Sequence, residues 1–360
     1  MGCRPTRSVR PTALASAVGL LLALAWPPSR PAFAAAPARP QFSVVTAANP
    51  LVAHTLYTWY TKQNLKKASV SPLETFSSDD PDHYRRLFSL LRANGVDLIA
   101  GVLTGLPGER DAAGRPLPTS YQAENFQRVV PLIGSAGLKT FVYYDTAIRS
   151  WWKNHLSRGQ LDLRNPALRR QVVTDLSWVA DNLILPNQDA YLFLQRADGT
   201  PVLDEQGLPR PVIALYLVRA FQDAAGFPNV RATFDRDLAA AFHARGLGRP
   251  ALVLDVVFWG QRPYDPGLVA AFGPSAAALT SFCPVTKRSD VHNLGDWVPL
   301  FGGLYKAAAG QTARLATEGV LSPDLQFWPG IMPNFETRTD HSARATNLSF
   351  SQLSKFKEYR

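Results

Sequence analysis

The stretch "PALVLDVVFWG" at residues 250–260 decides how this chain folds. Its apolar run, 251–258, is interrupted by a single charged residue, Asp255. Strands of a parallel sheet are covered by helices on both faces, so they read as continuous apolar runs rather than as alternating ones. The stretch therefore predicts a buried parallel strand. A carboxylate inside such a strand is costly unless it has a partner or binds a ligand.

Similar apolar runs alternate along the chain with amphipathic, helix-like segments. A turn signal at Asp198-Gly199 marks a hairpin-like insertion before the fourth strand. The predicted strands cover 51–60, 96–105, 138–148, 211–218, 250–260, 278–286 and 325–333. The predicted helices cover 77–95, 121–137, 165–183, 233–246, 294–317 and 349–360.

Strand–helix units that repeat in order predict an α/β fold, and their number favours a (β/α)8 barrel of the TIM type. A doubly wound open sheet is the alternative. That fold usually carries a glycine-rich phosphate loop after its first strand, whereas "LYTWYTKQNLKK" (56–67) contains no glycine. Seven strands are recognisable, so we expect the eighth strand–helix unit to be missing or incomplete.

The N-terminus has the features of a secretory signal. Arg4, Arg7 and Arg10 precede an apolar run at 13–26, and Ala32-Phe33-Ala34 fits a cleavage site. An N-terminal membrane anchor is the alternative, but the run is short for a membrane span. We expect a signal peptide at 1–34, a linker at 35–50 and a barrel at 51–360. The mature protein would be a secreted or periplasmic monomer without a stable membrane span.

Charge and motifs exclude several classes of function. The chain has a net charge of +10, but its basic residues are scattered and form no nucleic-acid-binding stripe. The histidines show no metal-binding spacing, and neither an H-E-x-x-H nor a G-x-S-x-G motif occurs. We therefore expect no metal, no cofactor and no nucleic-acid partner.

Aromatic and acidic residues collect where the predicted strands end. In TIM barrels the active site forms at the carboxyl ends of the strands. Aromatic rings there can pack on the apolar face of a sugar, while carboxylates, amides and guanidinium groups bind its hydroxyls. A carbohydrate ligand is therefore predicted. The catalytic candidates are Asp145, Asp255 and Glu336, and the substrate-binding candidates are Tyr57, Trp59, Tyr60, Tyr144, Trp259, Asn334 and Arg338.

Each of these candidates also has a structural interpretation. An aromatic residue at a strand end often packs the barrel mouth without touching a ligand. Asp145 could cap the loop that follows its strand, and Asp255 could pair with a partner inside the barrel. Glu336 and Arg338 could pair with each other on a surface loop.

Four segments together resemble glycoside hydrolase family 99. They are "HTLYTWY" (54–60), "SSDDPDHYRRLFSLLRANGVDLIAGVLTG" (77–105), "FVYYDT" (141–146) and "FWPGIMPNFETRTDHSAR" (327–344). The similarity extends in patches over most of residues 51–344. It implies a barrel that acts as a retaining, endo-acting α-mannosidase or mannanase.

The chain also departs from the family pattern. Thr61-Lys62-Gln63 replaces the Gly-Asn-Pro-type turn that follows the first strand in the family. The family's catalytic glutamates lie on a later strand resembling Ser-Phe-Asn-Glu-Trp-x-Glu, and this sequence contains no such stretch. We therefore expect a glycoside hydrolase-like protein for α-linked, mannose-type saccharides that lacks the family's catalytic segment. The alternative is a non-catalytic carbohydrate-binding protein with a degenerate site.

Overall fold

The computed structural model describes residues 51–58, 77–110, 113–146, 161–196, 199–256, 264–281, 294–322 and 324–328. All of them belong to one compact unit, Arg39–Arg360. The expected signal peptide, the linker and the predicted helix at 349–360 lie outside the described residues. So do six of the site candidates, namely Trp59, Tyr60, Trp259, Asn334, Glu336 and Arg338.

Seven parallel strands form the main sheet, as the sequence predicts. The order of the strands in the sheet follows their order along the chain without a reversal. A doubly wound sheet reverses direction at a switch point, so that alternative is wrong. The strands are β1 (Ala53–Leu56), β2 (Leu98–Leu103), β3 (Lys139–Tyr144), β4 (Leu161–Asp162), β5 (Val212–Leu215), β6 (Phe221–Gln222), β7 (Ala251–Asp255), β8 (Ala276–Thr280) and β9 (Gln326–Trp328). The short strands β4 and β6 form a separate parallel pair.

Helices connect most of these strands. A π-helical stretch, Ala180–Ile184, prolongs the helix that ends at Val179, and another, Arg231–Asp237, joins the helix that ends at Val230 to the one that begins at Leu238. The helices are α1 (Pro81–Ala93), α2 (Pro118–Ser135), α3 (Pro166–Val179), α4 (Pro228–Val230), α5 (Leu238–His243), α6 (Pro266–Ala271) and α7 (Leu294–Thr317). In the part of the chain that the structure describes, none of the helices has the length and apolarity needed to cross a membrane.

Proline and a preceding polar residue set where several helices begin. Asp80 caps α1 by accepting hydrogen bonds from the N–H groups of Asp82 (2.9 Å) and His83 (3.3 Å). Asp265 caps α6 in the same way, and Pro266 follows it at the first helical position. Helix α6 is absent from the helices predicted from the sequence, although its Asp-Pro start is the same signal that reveals α1.

The inner face of the sheet combines small and aromatic side chains. Residues paired in register face the same side of a sheet, so Ala100 and Phe141 lie on one face, as do Tyr143 and Ala214. Phe141 on β3 meets Trp328 on β9 edge to face, with ring centroids 6.3 Å apart. Four strand spacings of about 4.8 Å would separate these strands by roughly 19 Å in a flat sheet. The sheet is therefore curled into part of a barrel, with the aromatic rings filling its interior.

The two edges of the curled sheet are β1 and β9 within the described ranges. The eighth strand–helix unit would follow β9, and residues 329–360 lie outside the described part of the chain. The expectation that this unit is missing or incomplete therefore stays a prediction.

A short segment, the 190–192 wedge, separates β3 from β5 at their amino ends. The Thr140 N–H donates to the Ala190 carbonyl and the Val212 N–H to the Leu192 carbonyl, at 2.8 and 3.0 Å. The Tyr191 hydroxyl accepts from the Val142 N–H (3.2 Å) and donates to the Val212 carbonyl (3.0 Å). A buried phenol thus links two strands that have moved apart. Its burial raises the pKa of Tyr191, while the Val142 N–H lowers it by a smaller amount.

The predicted insertion before β5 folds into antiparallel turns whose tip binds the amino ends of the strands. Asp204 accepts hydrogen bonds from the Arg249 N–H (2.7 Å) and the Leu208 N–H (3.0 Å), and His243 Nε2 lies 2.6 Å from it. The Arg249 guanidinium also binds Glu205 and Asp235. Burial alone would raise the pKa of Asp204, but the hydrogen bonds from Arg249 and Leu208 lower it to about 2.

This depressed pKa predicts a pH-dependent contribution to stability. Asp204→Asn should lower the free energy of unfolding at pH 7 by about 2 kcal/mol, because each pKa unit corresponds to about 1.4 kcal/mol. The folded pKa lies below the unfolded value of 3.8. The stabilisation is therefore present above pH 4 and lost as the pH falls toward 2. Urea titrations between pH 2 and 7 measure this, with exposed Asp324→Asn as the control. Equal stability of Asp204→Asn and wild type at pH 7 would contradict it.

The interior contact between Phe141 and Trp328 predicts a measurable coupling. In a double-mutant cycle with Phe141→Leu and Trp328→Leu, the two losses of stability should differ from additivity by about 0.5–1.5 kcal/mol, the range of aromatic pairs. Phe88 is a buried ring on α1. As the control, the losses of stability caused by Phe88→Leu and Trp328→Leu should be additive to within about 0.5 kcal/mol. Additivity in the first cycle would mean that the rings do not meet across a curled sheet.

Candidate functional site

A buried carboxylate marks the carboxyl end of β7. Asp255 is the last residue of that strand and is 0% exposed. Its Oδ2 accepts a hydrogen bond from the Leu217 N–H at 3.3 Å, just after β5 ends. The phenol of Tyr143 on β3 lies close enough to Asp255 for the two groups to interact electrostatically. The carboxylate thus lies where the carboxyl ends of three neighbouring strands meet.

Tyr143 is surrounded by further aromatic and acidic groups. Its ring centroid lies 6.2 Å from that of Tyr216, which follows β5. Its phenol is also close enough to Tyr57, at the end of β1, for the two to interact. Burial first, and then the charge of Asp255, raise the pKa of Tyr143 well above its usual value of 10. Tyr143 therefore stays a neutral hydrogen-bond donor in the folded protein.

The turn after β5 is held in an unusual backbone conformation. Leu217 adopts the left-handed region at φ 55° and ψ 41°, which few side-chain-bearing residues do. The Tyr216 carbonyl accepts a hydrogen bond from the Thr146 hydroxyl. A short 3-10 helix, Val218–Ala220, follows. Strain of this kind is often found at functional sites, where the surroundings enforce it.

Arg219 supplies a cation beside Asp255. The residue is exposed overall, yet part of its side chain is desolvated, which lowers its pKa. The charge of Asp255 acts in the opposite direction and favours the charged guanidinium. The carboxylate and the guanidinium therefore offset each other, and this part of the mouth combines aromatic surface with balanced charge.

The structure separates the described site candidates. Asp255 and Tyr57 lie together around Tyr143. Strand alternation places Asp145 on the same face as Tyr143, where it is 7% exposed. The substrate-binding interpretation of Tyr144 needs correction, because successive side chains of a strand point to opposite faces. Its hydroxyl donates to Asp175 on α3 at 2.5 Å, outside the curled sheet.

The site residues predicted from the sequence do not include Tyr216, Leu217 or Arg219. Both Tyr143 and Tyr144 stand at the end of the third predicted strand, and the outward-facing Tyr144 was chosen. Tyr143 and Tyr144 are consecutive, so one of them had to face inward, but the apolar run gave no sign of which. Tyr216 follows a predicted strand, and that position was a usable signal. The left-handed conformation of Leu217 leaves no signature in the sequence, because glycine or asparagine is the usual residue there.

A second polar group lies at the amino ends of the strands. The ligand atoms of Asp204, Glu205 and His243 lie within 4.8 Å of one another, a geometry that could hold a metal ion. The Arg249 guanidinium already binds Glu205, and the backbone N–H of Arg249 donates a hydrogen bond to Asp204. A cation is therefore present in the group, and we regard it as a structural ion cluster.

No family model matches this sequence, and no curated protein matches it. Two solved structures of a GH99 endo-α-mannosidase from Bacteroides thetaiotaomicron are similar, at 11% identity with a TM-score of 0.49 and at 10% identity with a TM-score of 0.42. The first, in complex with bis-tris-propane, aligns over 86% of this chain and 78% of that chain, and the second over 75% and 60%. An exo-β-1,4-mannosidase from Opitutaceae bacterium strain TAV5 aligns at 14% identity over 69% of this chain and 48% of that chain, with a TM-score of 0.35. TM-scores below 0.5 are too low to transfer a function, so the side chains at the mouth must identify it.

The raised pKa of Tyr143 predicts a loss of stability in alkali. Above pH 10 the phenol ionises in the unfolded chain but not in the folded one. The free energy of unfolding should therefore fall with rising pH by about 1.4 kcal/mol per pH unit for each such group. Tyr143→Phe should reduce the slope between pH 10 and 11.5 by about that amount. Urea titrations measure the slope, and Phe141→Leu, which removes no titrating group, should leave it unchanged. An unchanged slope in Tyr143→Phe would refute the assignment.

Proposed function

We propose that this chain is a glycoside hydrolase-like protein with a carbohydrate site at the carboxyl ends of its strands. The observation that carries the proposal is the grouping of three tyrosines, Tyr57, Tyr143 and Tyr216, near the buried carboxylate of Asp255. Barrels of strand–helix units place their active sites at this end of the sheet.

The chemistry of this grouping fits a neutral saccharide. The apolar face of a sugar ring packs on aromatic rings, and its hydroxyls exchange hydrogen bonds with phenols, carboxylates and guanidinium groups. Tyr216 is half-buried and Arg219 is exposed, so both can reach a ligand. Because Asp255 offsets the charge of Arg219, these two residues together do not favour a charged sugar.

The finer assignment to α-linked, mannose-type saccharides rests on the four sequence segments that resemble glycoside hydrolase family 99. A retaining hydrolase needs a nucleophile and an acid/base with carboxyl groups about 5 Å apart. Asp145 is the described acidic candidate with some exposure at the mouth. Glu336, with Asn334 and Arg338, follows β9 in the sequence and is proposed as part of the same site, as are Trp59, Tyr60 and Trp259.

A non-catalytic carbohydrate-binding protein is the second candidate function. This sequence contains no Asn-Glu-Trp-x-Glu stretch like the one that carries the family's catalytic glutamates. The tyrosine grouping does not depend on that stretch, so binding can persist without bond cleavage. The basic and apolar pattern of the N-terminus supports a secreted or periplasmic location for either function.

The two functions are separated by measuring binding and turnover together. The purified chain is titrated with α-linked mannotriose in a calorimeter and assayed for reducing ends released from α-mannan. We expect binding heat with little product release. Tyr216→Ala should weaken binding roughly tenfold, because it removes an aromatic contact.

Tyr144→Phe is the matched control, because it removes a phenol from the neighbouring position on the outer face of β3. It should leave the affinity for mannotriose unchanged. Turnover that Asp145→Asn abolishes would establish a hydrolase whose chemistry uses residues of this sequence. If neither binding heat nor product release is detected, the mannose-type assignment is rejected.

A further inference from the structure

The buried carboxylate at the mouth is already occupied by protein groups. Asp255 is fully buried, its Oδ2 accepts from the Leu217 N–H, and the Tyr143 phenol lies close enough to interact with its charge. A substrate in contact with this carboxylate would have to displace the Leu217 N–H. Its role therefore differs from that of an acid or nucleophile that touches the scissile bond.

We propose that Asp255 is a positioning residue, which fixes Tyr143 and the 216–219 turn so that Tyr216 and Arg219 form the surface that meets the saccharide. This inference rests on the proposed carbohydrate function and deepens it. It assigns the ligand contacts to a phenol and a guanidinium, and it removes Asp255 from the set of candidate catalytic groups.

The 216–219 turn is fixed from two neighbouring strands. From the β3 side, the Tyr144 carbonyl accepts from the Tyr216 N–H at 3.0 Å, and Thr146 donates to the Tyr216 carbonyl. From the β7 side, Asp255 accepts from the Leu217 N–H. A left-handed leucine persists only when its surroundings hold it there. The carboxylate is the group that binds the N–H of the strained residue itself.

The orientation of Tyr143 depends on the same carboxylate. Its phenol interacts electrostatically with Asp255, and its ring lies against that of Tyr216 at a tilt of 56°. Tyr143 and the turn are therefore fixed relative to each other through one charged group. A preorganised surface of this kind spares a ligand the cost of ordering the side chains that it contacts.

The chain contains a matched control for this arrangement. Asp175 is also fully buried and accepts a hydrogen bond from a tyrosine of β3, namely Tyr144, on the opposite face of the sheet. Gln171 supplies a second hydrogen bond to Asp175 at 2.5 Å. Asp175→Asn thus removes the charge from an aspartate on α3 that binds a tyrosine of β3, and it leaves the mouth unchanged.

The first measurement needs no saccharide. Amide hydrogen exchange of the peptide containing Leu217 is compared in wild type, Asp255→Asn and Asp175→Asn. In Asp255→Asn the Leu217 amide should exchange about tenfold faster, because a neutral acceptor replaces a charged one. Asp175→Asn should leave it unchanged once global stability is matched with urea. Equal exchange in Asp255→Asn and wild type would overturn the proposal.

The second measurement uses α-linked mannotriose as the probe. Asp255→Asn should weaken its binding about tenfold, since the turn and Tyr143 are no longer fixed. Asp175→Asn should bind as wild type does. If wild type binds no mannotriose, the mannose-type function fails, while the exchange result still decides the role of Asp255. Unchanged affinity in Asp255→Asn would overturn the positioning role.

Tyr143→Phe tests the proposal if Asp255→Asn does not fold. This variant keeps the carboxylate and removes the phenol that interacts with it. It should weaken mannotriose binding and speed exchange at Leu217, whereas Tyr144→Phe should do neither. If the two tyrosine variants behave alike in both measurements, Asp255 does not act through Tyr143.

Discussion

The edge-to-face contact between Phe141 and Trp328 is the constraint on which the rest of the structure depends. The two rings belong to strands that four spacings would keep far apart in a flat sheet, so the contact requires the sheet to curl. Small residues on the intervening strands, among them Ala214 and Ala278, leave room for the rings. Aromatic bulk on β3 thus replaces the even layers of branched aliphatic residues that fill many barrels.

The candidate site is continuous with this aromatic interior. Tyr143 lies two residues beyond Phe141 on the same face of β3, so the mouth is a continuation of the aromatic core. A carboxylate buried there would be strongly unfavourable alone. The Leu217 N–H donates a hydrogen bond to Asp255, and the Tyr143 phenol and Arg219 interact with its charge. The polar mouth is therefore stable only as a complete set of groups.

Much of the fold could be predicted from the sequence, because apolar runs and helix starts are local signals. All seven strands of the main sheet were predicted, whereas α6 and the two-residue strands β4 and β6 were missed because they are short. The candidate site was harder to predict from the sequence. Asp255 stood out as a charge in an apolar run, but its partners Tyr143 and Leu217 depend on strand phase and on a backbone conformation. Both are set by tertiary packing, which the sequence pattern does not encode locally.

The 190–192 wedge makes the connection between β3 and β5 sensitive to a single substitution. Between most paired strands the links are peptide groups, and among the standard residues only proline removes such a donor. Between β3 and β5 the Tyr191 hydroxyl is itself a link, joining the Val142 N–H to the Val212 carbonyl. A single codon change from tyrosine to phenylalanine therefore deletes a cross-strand connection while leaving the hydrophobic volume intact. Beside the peptide hydrogen bonds between these strands, part of their connection therefore depends on one side chain, and selection can act on that side chain independently of the rest of the sheet.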